Sequence, residues 1–132
     1  KTDALAESLL EIAPYTEIKT VTAKITEENS ADLLKGADVV CEAFDKPEAK
    51  AMLVNGVLEQ LPDCYLVAAS GMAGIDTQNN IQTRKVMKRF YLCGDEKNDV
   101  ADTIGLVAPR VMLCAAHQAH TVLRILAGEY EV

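Results

Sequence analysis

Val39-Val40-Cys41-Glu42-Ala43-Phe44-Asp45-Lys46-Pro47-Glu48 is an apolar run that meets an acid and then a proline. The β-branched head and the proline near the tail predict a buried strand, Asp38 to Phe44, that runs straight into a helix opened by Pro47. A strand feeding a helix in this way is the repeating unit of a parallel α/β sheet. Such sheets bind ligands just beyond the carboxyl ends of their strands, and Asp45 stands at that point. Two readings of Asp45 are open from these residues alone: an acid of a ligand site, or a side chain that only caps the helix after it.

The flanking pattern agrees with an α/β chain. Leu5, Leu9 and Ile12 share one helical face between Lys1 and Ala13, and Pro14 ends the run. Thr16 to Ala23 mixes β-branched with polar residues and predicts a strand; Thr26 then caps a short helix through Lys35, with Glu27 and Glu28 in its first turn and Gly36 at its end. Downstream, Met52, Leu53, Val57 and Leu61 mark the helix from Pro47, and Tyr65 to Ala69 is a second continuous apolar run. The α-β-α-β-α-β order predicts parallel strands joined by right-handed crossovers.

Beyond Ser70-Gly71-Met72-Ala73-Gly74 the runs Ile81 to Val86 and Phe90 to Cys93 predict an antiparallel hairpin, where the parallel sheet ends. Gly94 to Val107 is acidic and glycine-punctuated and predicts a mobile loop; Pro109 opens a last helix closed by Gly128. The predicted fold is α/β, a Rossmann-like three-layer sandwich in a single domain over residues 1–132.

Composition limits the partners. The net charge of −7 argues against a nucleic-acid or anionic-membrane surface, each of which needs a basic patch. The one basic cluster, Arg84 to Arg89, reads as a solvated turn between strands. Cys41, Cys64, Cys93 and Cys114 are spread without close pairs, which predicts reduced, buried thiols in a cytoplasmic protein. No apolar run approaches the roughly 20 residues of a membrane span, and no signal-peptide pattern is present. The chain opens at Lys1 without a methionine, directly in a helical pattern, and is read as a piece of a longer protein.

Lys1 at the head of the first helix, Ile12-Ala13-Pro14 at its end, Glu42-Ala43-Phe44-Asp45-Lys46, Ala69-Ser70-Gly71, and Gly105-Leu106-Val107-Ala108-Pro109 before a long helix occur in one order. Together they resemble the second half of the ThiF/MoeB/HesA family, bacterial relatives of ubiquitin-activating enzymes, and most of all the ThiF-like sulfur-carrier adenylyltransferases of thiamine biosynthesis. The resemblance implies an ATP- and magnesium-dependent adenylation of the C-terminal glycine of a ubiquitin-like sulfur carrier. It implies that Asp45 holds magnesium, that Lys46 lies at the nucleotide, that Lys1 binds phosphate, and that the backbone at Lys24 and Ile25 lies against adenine. It also implies homodimers, and an unpaired strand edge left by a truncated sheet would favour self-association as well.

The chain departs from that family pattern in three places. The glycine-rich strand-to-helix turn is absent, so half of the nucleotide site is missing and the stretch alone is expected to be inactive. Cys93 has no close cysteine partner, which predicts no zinc site. Gly94 to Pro109 contains no cysteine for a covalent carrier intermediate. Two other functions compete: a dinucleotide-binding oxidoreductase that has lost its first βαβ unit, and a non-catalytic interaction module using the acidic loop. His117 and His120 make a weak metal pair, Arg110 and Arg124 are expected on helix-end carbonyls or acids at a subunit contact, and Ser70-Gly71 reads as a tight turn rather than a nucleophile elbow.

Overall fold

The computed structural model describes residues Lys1–Val132. In chain order the elements are α1 (Thr2–Ile12), α2 (Glu27–Leu34), β1 (Val39–Cys41), α3 (Pro47–Gln60), β2 (Tyr65–Ala69), a single 3-10 turn (Gln78–Asn80), β3 (Gln82–Met87), β4 (Phe90–Gly94) and α4 (Ala108–Leu126). The four strands form one sheet in the order β1-β2-β4-β3, with β1, β2 and β4 parallel and β3 antiparallel to β4.

The period of two in β2 makes the sandwich. Leu66 and Ala68 face one side, where they pack with Leu53 and Val57 of α3; Val67 and Ala69 face the other, where they pack with Cys114 and Ile125 of α4. Both faces of β2 are therefore dry, which is why its sequence is continuously apolar rather than alternating. Thr26 and Asn29 form a reciprocal capping box at the start of α2, and Pro47 and Pro109 sit in the first turns of α3 and α4. No helix is long and apolar enough to cross a membrane.

Three expectations need correction. Thr16 to Ala23 forms no strand: it runs beside no partner, with Ile18 half-buried and the rest exposed. Its two large apolar residues, Ile18 and Val21, are three apart and fall on opposite faces of a strand, and β propensity without a neighbour to pair with builds no sheet. The hairpin does not end the parallel sheet, because β4 returns beside β2 in parallel and only β3 reverses, at the outer edge. Cys41 is exposed although it shares the α4-side face of β1 with Val39, because β1 is the other edge of the sheet, whereas Cys64, Cys93 and Cys114 are buried. Helix α1 forms where expected but buries none of its residues, leaving Leu5, Leu9 and Ile12 open.

Candidate ligand site at the strand ends

The chain leaves β1 at Glu42, whose side chain is fully buried. A carboxylate in that position needs partners, and it has them: Lys50 Nζ lies 3.0 and 3.1 Å from its two oxygens, and the backbone N–H groups of Phe44 and Ala69 donate to it. Lys50 belongs to α3, so the pair draws that helix onto the ends of β1 and β2. From the opposite face, Gln118 Nε2 of α4 donates to the Glu42 carbonyl at 2.8 Å. One residue thus joins both helical layers to the sheet.

A second node ties the loops after β2 and β4. Ser70 N–H donates to Cys93 O and Asp95 N–H to Gly71 O, both at 2.8 Å, so the two backbones cross in contact. Gly94, at φ 140°, permits this approach: a Cβ there would stand 1.6 Å from the Ser70 carbonyl oxygen. Asp95, buried beside the crossing, pairs with the equally buried Arg110 of α4. Arg110 also donates to the carbonyls of Met72, Asp76 and Thr77. Burial by itself would raise the Asp95 pKa, but hydrogen bonds from Lys97 and Asn98 and the Arg110 charge outweigh it and hold the carboxyl below its usual range.

Between these nodes, past the carboxyl ends of the parallel strands, lies a cavity of about 390 Å³. Phe44, Asp45, Pro47 and Lys50 line it from the end of β1 and the start of α3, Ala69 to Ala73 from the end of β2, and Asn98 to Val100 with Leu106 from the stretch after β4. The size falls in the range of small-molecule sites, and Lys50 is the only cation in the lining.

The sequence profile of the ThiF family matches residues 1–132. The chain belongs to the ThiF family. Among solved structures it resembles E. coli tRNA N6-threonylcarbamoyladenosine dehydratase, TcdA, in complex with AMP, at a TM-score of 0.77 and 17% identity over 97% of this chain. The same enzyme in complex with ATP gives a TM-score of 0.70 and 16% identity over 96% of the chain. The chain spans 65% and 64% of those two structures, and at such identity the likeness is one of fold. No curated protein sequence matches it.

In this ThiF-family chain, Asp45 is exposed and lines the cavity. It does not cap α3: the N-cap residue is Lys46, and no side chain makes a capping hydrogen bond there. Of the five residues singled out beforehand the cavity gathers Asp45 alone. Lys46 is its exposed neighbour outside the lining, and Lys1 is the N-cap of the unpacked α1. The Lys24 carbonyl accepts from Asn29 Nδ2 at 2.9 Å, and Ile25 packs against the α3 side of the core.

Three functional candidates escaped the sequence reading: Lys50, Glu42 as its holder, and the Asp95–Arg110 clamp. A signal existed for the first two, because an acid inside an apolar run has to be paired if buried, and Lys50 is the first cation on the inward side of the next helix. Arg110 does bind carbonyls and an acid, but within its own chain rather than at a subunit contact. Ser70-Gly71 forms no hydrogen-bonded turn of its own: Gly71 takes a left-handed φ of 73°, and the Ser70 and Gly71 backbones bond across to Cys93, Asp95 and Glu96.

The donor set fits a magnesium bound together with a phosphate ligand. Asp45 and Asp99 are the carboxylates of the lining, and no three His, Cys, Asp or Glu side chains cluster anywhere in the chain. Magnesium commonly takes one or two carboxylates and completes its shell with phosphate and water. A larger groove of about 670 Å³ lies between α4, β3 and the C-terminal residues, where His117 Nδ1 meets Thr83 Oγ1 at 2.9 Å. It shares no lining residue with the strand-end cavity and lies against α4, β3 and β4, so size alone does not make it the reaction site.

Proposed function

We propose that this chain is the carboxyl-side part of an ATP-dependent adenylating enzyme acting on the C-terminal glycine of a ubiquitin-like sulfur carrier, of the kind used in thiamine biosynthesis. Membership of the ThiF family, together with a free acid at the mouth of a strand-end cavity, supports this reading. In the reaction the glycine carboxylate oxygen attacks the α-phosphorus of ATP, the bond from that phosphorus to the β-phosphate bridge breaks, and pyrophosphate leaves. Positioning and charge stabilisation do most of the work in such transfers. Asp45, with Asp99 in the same lining, would hold magnesium, which when bound neutralises phosphate charge. Lys1, Lys46 and the backbone at Lys24 and Ile25 are proposed contacts of the assembled nucleotide site, whose glycine-rich part this chain does not contain.

The TcdA neighbours suggest a second substrate class, since that enzyme is by name a dehydratase of a tRNA nucleoside. The net charge of −7 disfavours it, because tRNA binding draws on clustered cations. Homodimers are part of the proposal, supported by the open outer edge of β1 and the unpacked face of α1. A cytoplasmic setting suits four free thiols.

The test is carrier-dependent ATP–pyrophosphate exchange by the full-length protein, with a Gly-Gly-ended carrier and magnesium. Exchange is expected, and Asp45→Ala is expected to lower it by about a hundredfold or more while leaving the melting temperature unchanged. Exchange that is absent, or that proceeds without the carrier, would sink the reading; normal exchange by the variant would remove Asp45 from it.

A further inference from the structure

We propose that Lys50 is an anion-binding residue of the strand-end cavity, contacting a phosphate oxygen of the ligand, and that Glu42 is the positioning residue that aims it. This deepens the adenylation reading and rests on it. Three observations carry it. Lys50 is the only cation among the residues lining the cavity, where Asp45 and Asp99 contribute negative charge. Its side chain is 22% exposed, and the Glu42 carboxylate is the only hydrogen-bond partner of its ammonium. Its partner Glu42 is wholly buried and pinned by the N–H groups of Phe44 and Ala69, so the carboxylate cannot turn to follow a moving lysine.

An ammonium has three donors, and the two Glu42 oxygens at 3.0 and 3.1 Å lie on one side of it. The remaining donor capacity is available to a ligand. Lys50 also sits one turn into α3, its N–H bonded to the Lys46 carbonyl at 3.0 Å, so helix and ion pair fix its stem from both ends. A lysine held in this way loses little freedom on meeting an anion, which is the condition for a preorganised charge. If the pair served stability alone, the ammonium would have no need to border a cavity.

The proposal is tested by calorimetric binding of inorganic pyrophosphate and of ATP, each with magnesium, to the full-length protein. Lys50→Met is expected to weaken both by about 10- to 100-fold, and Lys50→Arg to retain most of the affinity. Because Lys50→Met leaves a buried carboxylate alone, the double variant Glu42→Gln/Lys50→Met is measured beside it. That pair removes the stranded charge and is expected to recover melting temperature but not anion affinity. Wild-type affinity in the double variant overturns the proposal, as does failure of the unsubstituted protein to bind either anion. Carrier-dependent exchange that persists in the double variant with an unchanged KM for ATP overturns it too, while leaving the adenylation reading intact.

Discussion

Replacing Arg110 by methionine tests whether the buried clamp between the two loops holds the site together. The perturbation keeps a long apolar stem and removes the guanidinium. Asp95, with its side chain 1% exposed, then loses its charge partner, and the carbonyls of Met72, Asp76 and Thr77 lose their donor. Breaking a buried ion pair from one side costs about 3–5 kcal/mol, mostly because the surviving charge is stranded. For a chain of this length roughly 4 °C of melting temperature accompanies each kcal/mol, so Arg110→Met is expected to melt about 12–20 °C lower.

The assay is urea and thermal unfolding followed by circular dichroism, with Asp95→Asn/Arg110→Met as a companion. The double variant removes the stranded charge but not the orphaned carbonyls, so it is expected to recover part of the loss. The pH dependence supplies an independent sign. Asp95 has a folded pKa below its unfolded value of about 3.9, so its contribution is present above that value and is lost as pH falls through the lower folded one. Acid unfolding below about pH 4 should therefore be shallower in variants carrying Asp95→Asn. A loss under about 1 kcal/mol for Arg110→Met, or a double variant no more stable than the single, would refute the reasoning.

Two further outcomes follow from the geometry. Gly94→Ala should fail to fold or lose more than about 4 kcal/mol, because the added methyl would stand 1.6 Å from the Ser70 carbonyl oxygen; unfolding within 1 kcal/mol of the unsubstituted protein would show that the loops do not cross in contact. Under native conditions a maleimide should modify Cys41 first, and Cys93 and Cys114 only on unfolding. Both are buried, and desolvation lifts the Cys114 thiol to about 11; rapid labelling of Cys114, read by peptide mass, would contradict its burial.

The elements that bury a continuous apolar face were legible in the sequence. Tyr65 to Ala69 was read residue for residue as a strand, and the prolines marked the starts of α3 and α4. Thr16 to Ala23 carries strand propensity yet forms no strand, because propensity is local and a strand exists only through its neighbour. The placement of β4 beside β2 is not legible for a related reason: strand order is decided by which face can be covered, not by spacing along the chain. At the site, the position of Asp45 at a strand end was readable from the run that precedes it. Lys50 and the Asp95–Arg110 clamp were not singled out, because their meaning lies in a burial and a pairing that no local pattern records.

The close crossing of the loops at Gly71 and Gly94 has a consequence for how the site can change. Where two backbones touch, neither can shift without the other, so the crossing acts as a fixed pivot beneath the cavity. The segment beyond the pivot from Val100 to Ile104 can lengthen, shorten or change composition while the strands below keep their register, whereas Asp76 and Thr77 stay tied to Arg110 through their carbonyls. Ligand preference in this architecture is therefore free to drift in that outer segment, whereas each of the two glycines is held by the atoms of the other loop that fill the place of a Cβ.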